Sequence, residues 1–412
     1  MNNITIKKSR LEGNVEVSGA KNSALKLLTA SILTDETVEL FNSPNNLLDV
    51  KVHIAMLEKL GKKCTEDNRY LKIIERKKLT TELIWDERSI RNSLLMLGCL
   101  TTRFGKGKVP LPGGCKLGER KYDLHVMILE KMGASVYEEN GYLCSETKEY
   151  PLKGCEIYLP IRSTGATENA ILAGTLANGS TTIWNPHIRP EIIDLIAMLN
   201  NMGANIKVYG QQCIVIKGVE QLSGVKHIVI PDNMEALTWA IGAVITNGDV
   251  EIQNFPFEHL EVPLVFLRES GMKYYRGENS LIVRGGSPYP VEISTGPYPG
   301  INSDMQPLFA IYGAHSQGTS KIIDLRFPGR YAYAEELAKM GMEYTIEGDL
   351  LVIHGGKKLN GATVKALDLR AGIALLLAGL TAEGETIIEN AWQIERGYEL
   401  LDDKLKRLVK AI

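Results

Sequence analysis

The sequence repeats itself six times, and no other feature constrains the fold as strongly. Six segments that each end a helix-like stretch begin 68 to 72 residues apart: LEKLGKKC (57–64), LEKMGASV (129–136), LNNMGANI (199–206), LRESGMKY (267–274), LAKMGMEY (337–344) and LKRLVKAI (405–412). In phase with them, helix-like stretches run into a glycine and a short strand, as in GSTTIW (179–184) and GETIIE (384–389). Each unit of about 70 residues predicts the order helix, strand, helix, strand, strand, and the glycine fits a left-handed helix end.

The sixth unit is incomplete, because the sequence stops at Ile412 directly after the second helix of that unit. The N-terminal segment ITIKKSRLEGNVEVSG (4–19) has the missing two-strand pattern. The simplest interpretation is that this segment completes the sixth unit, so that the chain closes on itself. Six units divide naturally into two α/β domains of three. This predicts one domain over 20–229 and a second over 1–19 plus 230–412.

Composition narrows the class of protein without identifying it. Of the 412 residues, 44% are hydrophobic and 23% charged, which excludes disordered, collagen-like and coiled-coil chains. The net charge of −2 provides no basic field for nucleic acid or for an anionic membrane surface. Neither an apolar stretch of about 20 residues nor a secretory signal is found, so we expect a cytoplasmic protein without a membrane segment. The six cysteines form no CxxC pair, which favours reduced thiols and argues against a zinc site.

Charged and polar residues recur where the predicted helices begin. The first helices open with Lys21 and Asn22, Arg91, Arg162 to Thr164, Asn233, Asp304, and Asp368 with Arg370; the second helices open with Cys115 and Arg120, Arg189, His259, Arg330 and Arg396. The unpaired N–H groups and positive dipole of a helix start attract anions, and a nearby Lys or Arg strengthens such a site. If these starts converge on one cleft, the cleft suits a multiply phosphorylated substrate or two anionic substrates. For any single arginine, a solvated surface charge is the alternative interpretation.

The stretch LPGGCKLGERKYDLH (111–125) is the sharpest local signal. Its glycines, including Gly118, predict a mobile loop that can fold over a ligand. Cys115 is followed by Lys116 and lies close to Arg120, and neighbouring cations favour the reactive thiolate. The other five cysteines lie in apolar or strand-like contexts and are predicted to be inert. The competing interpretation is that Cys115 is only a small loop residue.

Asp304, within INSDMQPLF (301–309), is a carboxylate at the start of a predicted helix. An N-cap explains such a residue without any further role. Its position in the repeat, among the other charged helix starts, favours a general base instead.

The motifs SGAKNSAL, PGGCKLGERKYDLH, STGATENAILAGTLANG, SDMQPLF and ERGYELLDDKL resemble those of the UDP-N-acetylglucosamine 1-carboxyvinyltransferase family of enolpyruvyltransferases. The resemblance covers essentially the whole chain. It implies two inside-out α/β barrels of three repeats each, with the active site in the cleft between them. It also implies the first committed step of peptidoglycan synthesis. In that reaction the enolpyruvyl group of phosphoenolpyruvate moves to the 3-hydroxyl of the nucleotide sugar and phosphate is released, without a metal or organic cofactor.

The same resemblance implies a role for each matching residue. Asp304 is the general base at the sugar hydroxyl, and Cys115 protonates C3 of phosphoenolpyruvate or forms a covalent adduct with it. Cys115 is also the residue that fosfomycin alkylates. Lys21 and Arg396 complete the catalytic set and, with Arg120, hold the phosphate and carboxylate of phosphoenolpyruvate. The residues implied at the nucleotide-sugar site or around the closed cleft are Asn22, Arg91, Lys121, Tyr122, Asp123, Leu124, Ser163, Thr164, Gly165, Arg326, Arg330, Asp368 and Arg370.

The sequence departs from the family pattern mainly on the acceptor side. A family lysine near the nucleotide phosphates aligns with Ile161, with Arg162 beside it, and an aliphatic residue aligns with Arg326. Further departures are Lys121 for a proline, Arg189 for an acidic residue, Asn233 for an arginine, Leu237 for a glycine, and a C-terminal KRLVKAI that lacks the usual trailing strand.

We compare four functions against these residues. The leading hypothesis is the peptidoglycan enzyme, as the main or a second isozyme. The alternative is a specialised paralogue that transfers enolpyruvyl to another nucleotide or nucleotide sugar, as in nucleoside-antibiotic pathways. A 5-enolpyruvylshikimate-3-phosphate synthase is disfavoured because that branch lacks the cysteine loop. A non-catalytic regulator that binds nucleotide sugar is disfavoured by the intact Cys115 and Asp304. The residues predict no oligomeric state.

Overall fold

The computed structural model describes residues 3–88, 90–112 and 122–411. The chain forms two compact units. The middle unit is Gly19–Ile230, and the terminal unit combines Met1–Ser18 with Pro231–Ile412. Each unit encloses an apolar core of its own.

Thirteen α-helices lie within the described residues. They are α1 (Lys21–Ala30), α2 (Leu48–Leu60), α3 (Ser93–Phe104), α4 (Asp123–Lys131), α5 (Thr164–Thr175), α6 (Pro190–Asn201), α7 (Asn233–Ile245), α8 (Glu261–Glu269), α9 (Gln306–Ala314), α10 (Ala332–Lys339), α11 (Leu369–Thr381), α12 (Trp392–Glu395) and α13 (Leu401–Leu408). Short 3₁₀ helices follow α1 at Ser31–Leu33 and precede α8 at Phe257–His259.

The described residues also form 23 strands. They are β1 (Asn3–Lys7), β2 (Ser9–Glu16), β3 (Val38–Phe41), β4 (Lys62–Asp67), β5 (Tyr70–Glu75), β6 (Lys106–Pro110), β7 (Ala134–Glu139), β8 (Tyr142–Thr147), β9 (Glu156–Tyr158), β10 (Ser180–Trp184), β11 (Asn205–Tyr209), β12 (Cys213–Lys217), β13 (Val225–Ile228), β14 (Asp249–Gln253), β15 (Lys273–Arg276), β16 (Ser280–Arg284), β17 (Glu292–Ser294), β18 (Thr319–Ile323), β19 (Glu343–Glu347), β20 (Leu350–His354), β21 (Thr363–Lys365), β22 (Glu385–Glu389) and β23 (Val409–Ala411).

The middle unit contains three sheets that follow one plan. Their strand orders are β13-β3-β5-β4, β6-β8-β7 and β11-β12-β10-β9. In each sheet an antiparallel hairpin pairs with the strand that follows a first helix, as the hairpin β4–β5 pairs with β3. Strands β13 and β9 add a parallel edge to β3 and β10. Helices α3 and α5 pack together and are buried at nearly every position, so the helices lie inside and the sheets outside.

The terminal unit repeats this plan. Its sheets have the orders β15-β16-β14-β2-β23, β17-β18-β20-β19 and β1-β22-β21. Helices α7, α9 and α11 contact one another, and nearly all of their residues are buried. Apolar residues on every side of a helix require burial on every side, which a central position provides. The expectation of inside-out α/β units with three repeats each is confirmed.

The two N-terminal strands complete the sixth repeat, as the sequence predicts. Strand β1 pairs antiparallel with β22, with Asn3 opposite Glu389 and Lys7 opposite Glu385. Strand β2 runs parallel to β14. The expectation that the C-terminus lacks a trailing strand is wrong, because β23 pairs antiparallel with the start of β2.

In the first five repeats a strand directly follows the second helix, and repeats two to five thereby contain one strand more than the sequence pattern predicts. These strands, β4, β7, β11, β15 and β19, form hairpins with the next strand. Most of their residues are exposed, as in ASVYEE (134–139). Because the apolar alternation of such a strand is weak, its sequence resembles a polar loop.

Two positions explain the glycines that recur near the helix ends. Gly105 is the C-cap of α3 with a φ of 77°, and its N–H donates to the carbonyl of Thr101. At the corresponding place after α7, Asn247 adopts the positive φ of 54° instead of Gly248. A Cβ on Gly248 would lie 2.0 Å from the carbonyl oxygen of Leu11. The close approach of β2, and not the backbone conformation, therefore requires glycine there.

Candidate active site

Four charged side chains of the terminal unit form one network. Asp304 accepts hydrogen bonds from Nη1 of Arg330 at 3.0 Å and from Nε of Arg370 at 3.4 Å. A further ion pair joins Nη2 of Arg330 to Oδ2 of Asp368 at 3.6 Å. We call these four residues the Asp304 cluster. Two carboxylates thereby balance two guanidinium groups.

The loop before α9 holds Asp304 without using it as a helix cap. The side-chain oxygen of Asn302 accepts hydrogen bonds from the backbone N–H groups of Asp304 at 2.9 Å and Met305 at 3.2 Å. The helix begins only at Gln306. The alternative interpretation of Asp304 as an N-cap is therefore wrong, and its side chain is 36% exposed. The carboxylate is accessible as a proton acceptor.

Arg370 and Asp368 take their positions from the start of α11. Asp368 is the N-cap and accepts hydrogen bonds from the N–H groups of Arg370 at 2.7 Å and Ala371 at 2.8 Å. Burial opposes the charge of Arg370, but Asp304, Tyr398, Asp232 and Asp368 together outweigh burial and raise the pKa of Arg370. At Arg330, likewise, burial is outweighed by Asp304 and Asp368, which raise its pKa. Both guanidinium groups are fixed cations.

Arg396 and Arg326 are held by local contacts. Arg396 is the C-cap of the short helix α12, and its Nη1 donates to Oε1 of Gln393 at 3.1 Å. The expectation that Arg396 opens a second helix is wrong, because α13 begins only at Leu401. The guanidinium of Arg326 lies 5.3 Å from the ring centre of Phe327.

In the middle unit, Lys21 is the first residue of α1 and forms an ion pair with Asp49, with Nζ 3.1 Å from Oδ2. The two side chains are 11% and 5% exposed. Asn22 follows on the same helix and is half-buried. Asp49 was not predicted from the sequence. It lies in the first turn of α2, where a signal existed, since the second helices of the other repeats also open with charged residues.

The start of α5 brings three predicted residues next to two histidines that no sequence motif indicated. Ser163 is the N-cap, and its hydroxyl oxygen accepts a backbone N–H of the first turn at 3.4 Å. The hydroxyl of Thr164 lies 2.9 Å from Nδ1 of His187. A Cβ on Gly165 would lie 3.1 Å from Nε2 of His125, so the absence of a side chain leaves room for the imidazole.

The start of α4 lies in the same region. Tyr122 occupies its N-cap position, and the helix opens with Asp123 and Leu124. His125 in the next position is buried, and burial together with the nearby charge of Arg91 lowers its pKa to about 3. The imidazole is therefore neutral at physiological pH. Two residues of the sequence prediction, Gly165 and Arg91, thus lie close to one buried neutral histidine.

Three predicted site residues, Cys115, Arg120 and Lys121, lie outside the described residues. The described cysteines are free thiols. Burial raises the pKa of Cys64 to about 12, and it also raises the pKa of Cys99. Because the thiolate is the reactive form, these two thiols are poor nucleophiles near neutral pH.

Of the residues at or beside departures from the family pattern, Leu237 is buried in the core, whereas Ile161, Arg162 and Arg189 are exposed or locally paired. Ile161 is 47% exposed. Beside it, Nε of Arg162 donates to Oδ1 of Asn185 at 3.2 Å. Nη2 of Arg189 lies 3.0 Å from Oε1 of Glu191. Arg162 is therefore directed toward a neighbouring loop amide in this structure.

Within the described part of the chain, no group of three or more His, Cys, Asp or Glu side chains is arranged to hold a metal ion. The carboxylates of the Asp304 cluster are paired with guanidinium groups instead. None of the helices described above has both the length and the apolar character needed to cross a membrane.

Comparison with known proteins gives consistent matches over nearly the whole chain. A family model described as EPSP synthase (3-phosphoshikimate 1-carboxyvinyltransferase) matches residues 6–405. UDP-N-acetylglucosamine 1-carboxyvinyltransferase 1 of Carboxydothermus hydrogenoformans is 44% identical over 397 residues, which is 96% of this chain and 93% of the relative. The UDP-N-acetylglucosamine 1-carboxyvinyltransferase of Actinobacillus succinogenes is 41% identical, over 97% of this chain and 96% of the relative. The crystal structure of the enolpyruvyl transferase NikO from Streptomyces tendae has a TM-score of 0.88 at 24% identity and covers 98% of this chain and 97% of its own.

Six repeats in two inside-out units, matched by this family model from residue 6 to 405, define an enolpyruvyltransferase. The identity to the two curated relatives narrows the class. The chain belongs to the family of UDP-N-acetylglucosamine 1-carboxyvinyltransferases. The resemblance inferred from the sequence motifs is confirmed, while the likeness to NikO supports the fold alone.

Proposed function

We propose that this chain transfers the enolpyruvyl group of phosphoenolpyruvate to the 3-hydroxyl of UDP-N-acetylglucosamine and releases phosphate. The proposal depends on the 41–44% identity to relatives of that name over nearly the whole chain. The reaction is the first committed step of peptidoglycan synthesis. We place it in the cytoplasm, where phosphoenolpyruvate is formed.

The first chemical step adds the sugar hydroxyl across the double bond of phosphoenolpyruvate. Asp304 takes the proton of the 3-hydroxyl as the oxygen forms its bond to C2. Cys115 delivers a proton to C3, which completes a tetrahedral ketal. Arg330 and Arg370, at 3.0 and 3.4 Å, hold the Asp304 carboxylate in one orientation.

The second step eliminates phosphate. The thiolate left on Cys115 takes a proton back from C3, the bond from C2 to the phosphate oxygen breaks with its electron pair passing to the phosphate, and the enolpyruvyl ether remains on the sugar. Negative charge grows on the departing phosphate, and fixed cations stabilise it. We assign Lys21, Arg120 and Arg396 to the phosphate and carboxylate of phosphoenolpyruvate. Asp49 holds the ammonium of Lys21 in place.

We assign the start of α5 to the nucleotide-sugar acceptor. Backbone N–H groups at a helix start suit a diphosphate, and a small residue such as Gly165 permits close approach. The remaining residues assigned to the acceptor or to the surroundings of both substrates are Asn22, Arg91, Lys121, Tyr122, Asp123, Leu124, Ser163, Thr164, Arg326, Arg330, Asp368 and Arg370.

A different acceptor is the second candidate, with the same phosphoenolpyruvate chemistry. Ile161, which is 47% exposed, replaces a family lysine, and Arg326 replaces an aliphatic residue. Both changes affect the acceptor side of the assignment and leave Lys21 and Asp304 unchanged. They favour another nucleotide or nucleotide sugar.

Phosphate release with a panel of acceptors tests the proposal. Phosphoenolpyruvate is combined with UDP-N-acetylglucosamine, with UMP and with other nucleotides. We expect turnover with UDP-N-acetylglucosamine. Turnover only with another nucleotide would replace this acceptor, and ligand binding without any phosphate release would favour a regulatory protein.

Covalent labelling by fosfomycin tests the role of Cys115. Intact-mass spectrometry should show one adduct on the unmodified protein and none on Cys115→Ser. Cys99→Ser is the matched control. It should still be labelled at Cys115, because burial raises the pKa of the Cys99 thiol and makes that thiol unreactive in the unmodified protein. An adduct that persists in Cys115→Ser would remove Cys115 from its assigned role.

A further inference from the structure

A buried ion pair joins the first helices of the middle unit close to their starts. Nζ of Lys26 on α1 lies 3.5 Å from Oε2 of Glu168 on α5, and these side chains are 14% and 2% exposed. The same Nζ donates to Oδ1 of Asn92, the N-cap residue of α3, at 3.0 Å. One cation thereby connects the first helices of all three repeats in this unit.

The amide of Asn92 extends the connection. Its Nδ2 donates to the carbonyl of Leu25 at 2.9 Å and to the hydroxyl of Thr29 at 2.7 Å, both on α1. It also lies 3.1 Å from Nδ1 of His53 on α2. All four residues are buried. Since a buried polar group is costly unless it is hydrogen-bonded, this network keeps α1 in one position relative to α3.

The connected helices carry the substrate residues at their starts. Lys21 lies little more than one turn before Lys26 on α1, and Thr164 lies about one turn before Glu168 on α5. Arg91 directly precedes the asparagine that Lys26 contacts. A change in the Lys26–Glu168 pair therefore reaches the assigned acceptor residues through less than two turns of helix.

The carboxylate of this pair is only partly satisfied. Oε1 of Glu168 is buried and has no hydrogen-bond partner within the described structure, and the same holds for both side-chain polar atoms of the adjacent Asn169. Burial raises the pKa of Glu168 to about 7, although the charge of Lys26 opposes the shift. The pair can therefore lose its ionic character near neutral pH.

We propose that Lys26 and Glu168 are positioning residues for the nucleotide-sugar acceptor. Their ionised form sets the spacing between the starts of α1 and α5 that acceptor binding requires, and protonation of Glu168 weakens that binding. The inference rests on the proposed function, because that function assigns these helix starts to the acceptor.

Other charged and titratable groups face the same region. Arg189 and Glu191 at the start of α6 pair with each other at 3.0 Å. Burial lowers the pKa of His125 on α4 and of His53 on α2 to about 3, so both imidazoles stay neutral between about pH 6 and 8. His187, near Thr164, is a further titratable group. The variant His187→Gln should retain the pH dependence of KM for UDP-N-acetylglucosamine that is measured in the first test.

The first test is the pH dependence of KM for UDP-N-acetylglucosamine at saturating phosphoenolpyruvate. From pH 8 to pH 6 we expect KM to rise about fivefold, with a smaller change in kcat. Glu168→Gln keeps the size of the side chain and should make KM independent of pH. Glu75→Gln is the matched control, because it breaks another buried pair of this unit, with Lys62 at 2.8 Å, and should retain the pH dependence. Equal pH dependence in Glu168→Gln and the unmodified protein overturns the proposal.

A second test does not need turnover. Hydrogen exchange in the first turns of α1 and α5, corrected for intrinsic rates, should be faster at pH 6 than at pH 8, and Glu168→Gln should abolish the difference. Exchange that is independent of pH in the unmodified protein overturns the positioning role. Absence of turnover with UDP-N-acetylglucosamine would overturn the proposed function and leave this readout valid. If Glu168→Gln folds poorly, the double variant Lys26→Met, Glu168→Leu removes both charges and carries the same expectation.

Discussion

The two units hold their charged side chains in different ways. In the terminal unit, the Asp304 cluster joins two carboxylates and two guanidinium groups, and Asp304 is 36% exposed. In the middle unit, Lys21 with Asp49 and Lys26 with Glu168 form separate pairs, whose carboxylates are 5% and 2% exposed. The same repeat thus presents an accessible carboxylate in the terminal unit, whereas in the middle unit it presents cations that are paired with buried carboxylates.

Burial and the number of partners account for this difference. An accessible carboxylate can exchange a proton with a substrate, whereas a buried carboxylate depends on its partner for its charge. Two guanidinium groups around Asp304 fix its direction without removing it from solvent. A position in the repeat therefore predicts that a charged residue is present but not which chemical role it has.

Among the substitutions that test this comparison, neutralising Asp304, the accessible carboxylate, should have the largest effect. Asp304→Asn retains the size of the side chain and its place between Arg330 and Arg370, but it cannot accept the proton. We expect kcat for phosphate release to fall by about 10²- to 10⁴-fold, and thermal stability to fall as well, because two largely buried guanidinium groups lose a charged partner. Steady-state kinetics and a thermal unfolding curve measure both quantities.

The control for this variant is a carboxylate of the same unit outside the cluster. Asp403 is 57% exposed, and Asp403→Asn should leave kcat unchanged. A kcat for Asp304→Asn within tenfold of the unmodified protein would mean that the accessible carboxylate is not the general base.

The sequence predicted the repeated framework because that information is local. Amphipathic periods and helix-end glycines recur every 68 to 72 residues, and Asp304, Arg330 and Arg370 occur where the helices begin. The weakly apolar strands such as β4 and β7 were missed because most of their residues face solvent.

The supporting residues of the middle unit could not be predicted in the same way. Asp49, His125 and His187 come from different helices and loops, and only tertiary packing places them beside Lys21 and the start of α5. A lone histidine within an apolar helix carries no local pattern that separates a structural role from a functional one.

Removing the buried imidazole of His53 in the middle unit should have a smaller effect, which is a change in how stability depends on pH. Burial, with a contribution from Lys26, lowers the pKa of His53 to about 3, whereas its ordinary value is 6.5. Below pH 6.5 the unfolded chain binds a proton that the native imidazole excludes. The free energy of unfolding therefore decreases by about 1.4 kcal/mol for each unit by which the pH is lowered. His53→Gln should reduce the loss of stability between pH 6.5 and 5 by about 2 kcal/mol.

Hydrogen exchange of α3 amides at several pH values measures the stability of the middle unit. His354 in the terminal unit is exposed, and His354→Gln should leave the pH dependence unchanged. A slope in His53→Gln equal to that of the unmodified protein would show that the imidazole of His53 is not the group that titrates.

Neutralising the carboxylate next to Lys21 has the smallest expected effect and tests the role of the middle-unit pairs most directly. Asp49→Asn keeps a hydrogen-bond acceptor near Nζ but removes the charge that holds the ammonium 3.1 Å away. We expect KM for phosphoenolpyruvate to rise about fivefold, which corresponds to roughly 1 kcal/mol, with a smaller change in kcat.

The direction of this change decides between two functions of the buried carboxylate. Loss of a neighbouring negative charge strengthens the field of Lys21 and alone would lower KM, whereas loss of orientation raises it. Asp67→Asn, at an exposed position of the same unit, should change neither constant and controls for the general loss of a carboxylate. A lower KM in Asp49→Asn would mean that Asp49 only reduces the charge near the anion. A higher KM would mean that Asp49 orients the ammonium group of Lys21 for binding phosphoenolpyruvate. Asp49 would then have the same role for Lys21 in the middle unit that Arg330 and Arg370 have for Asp304 in the terminal unit.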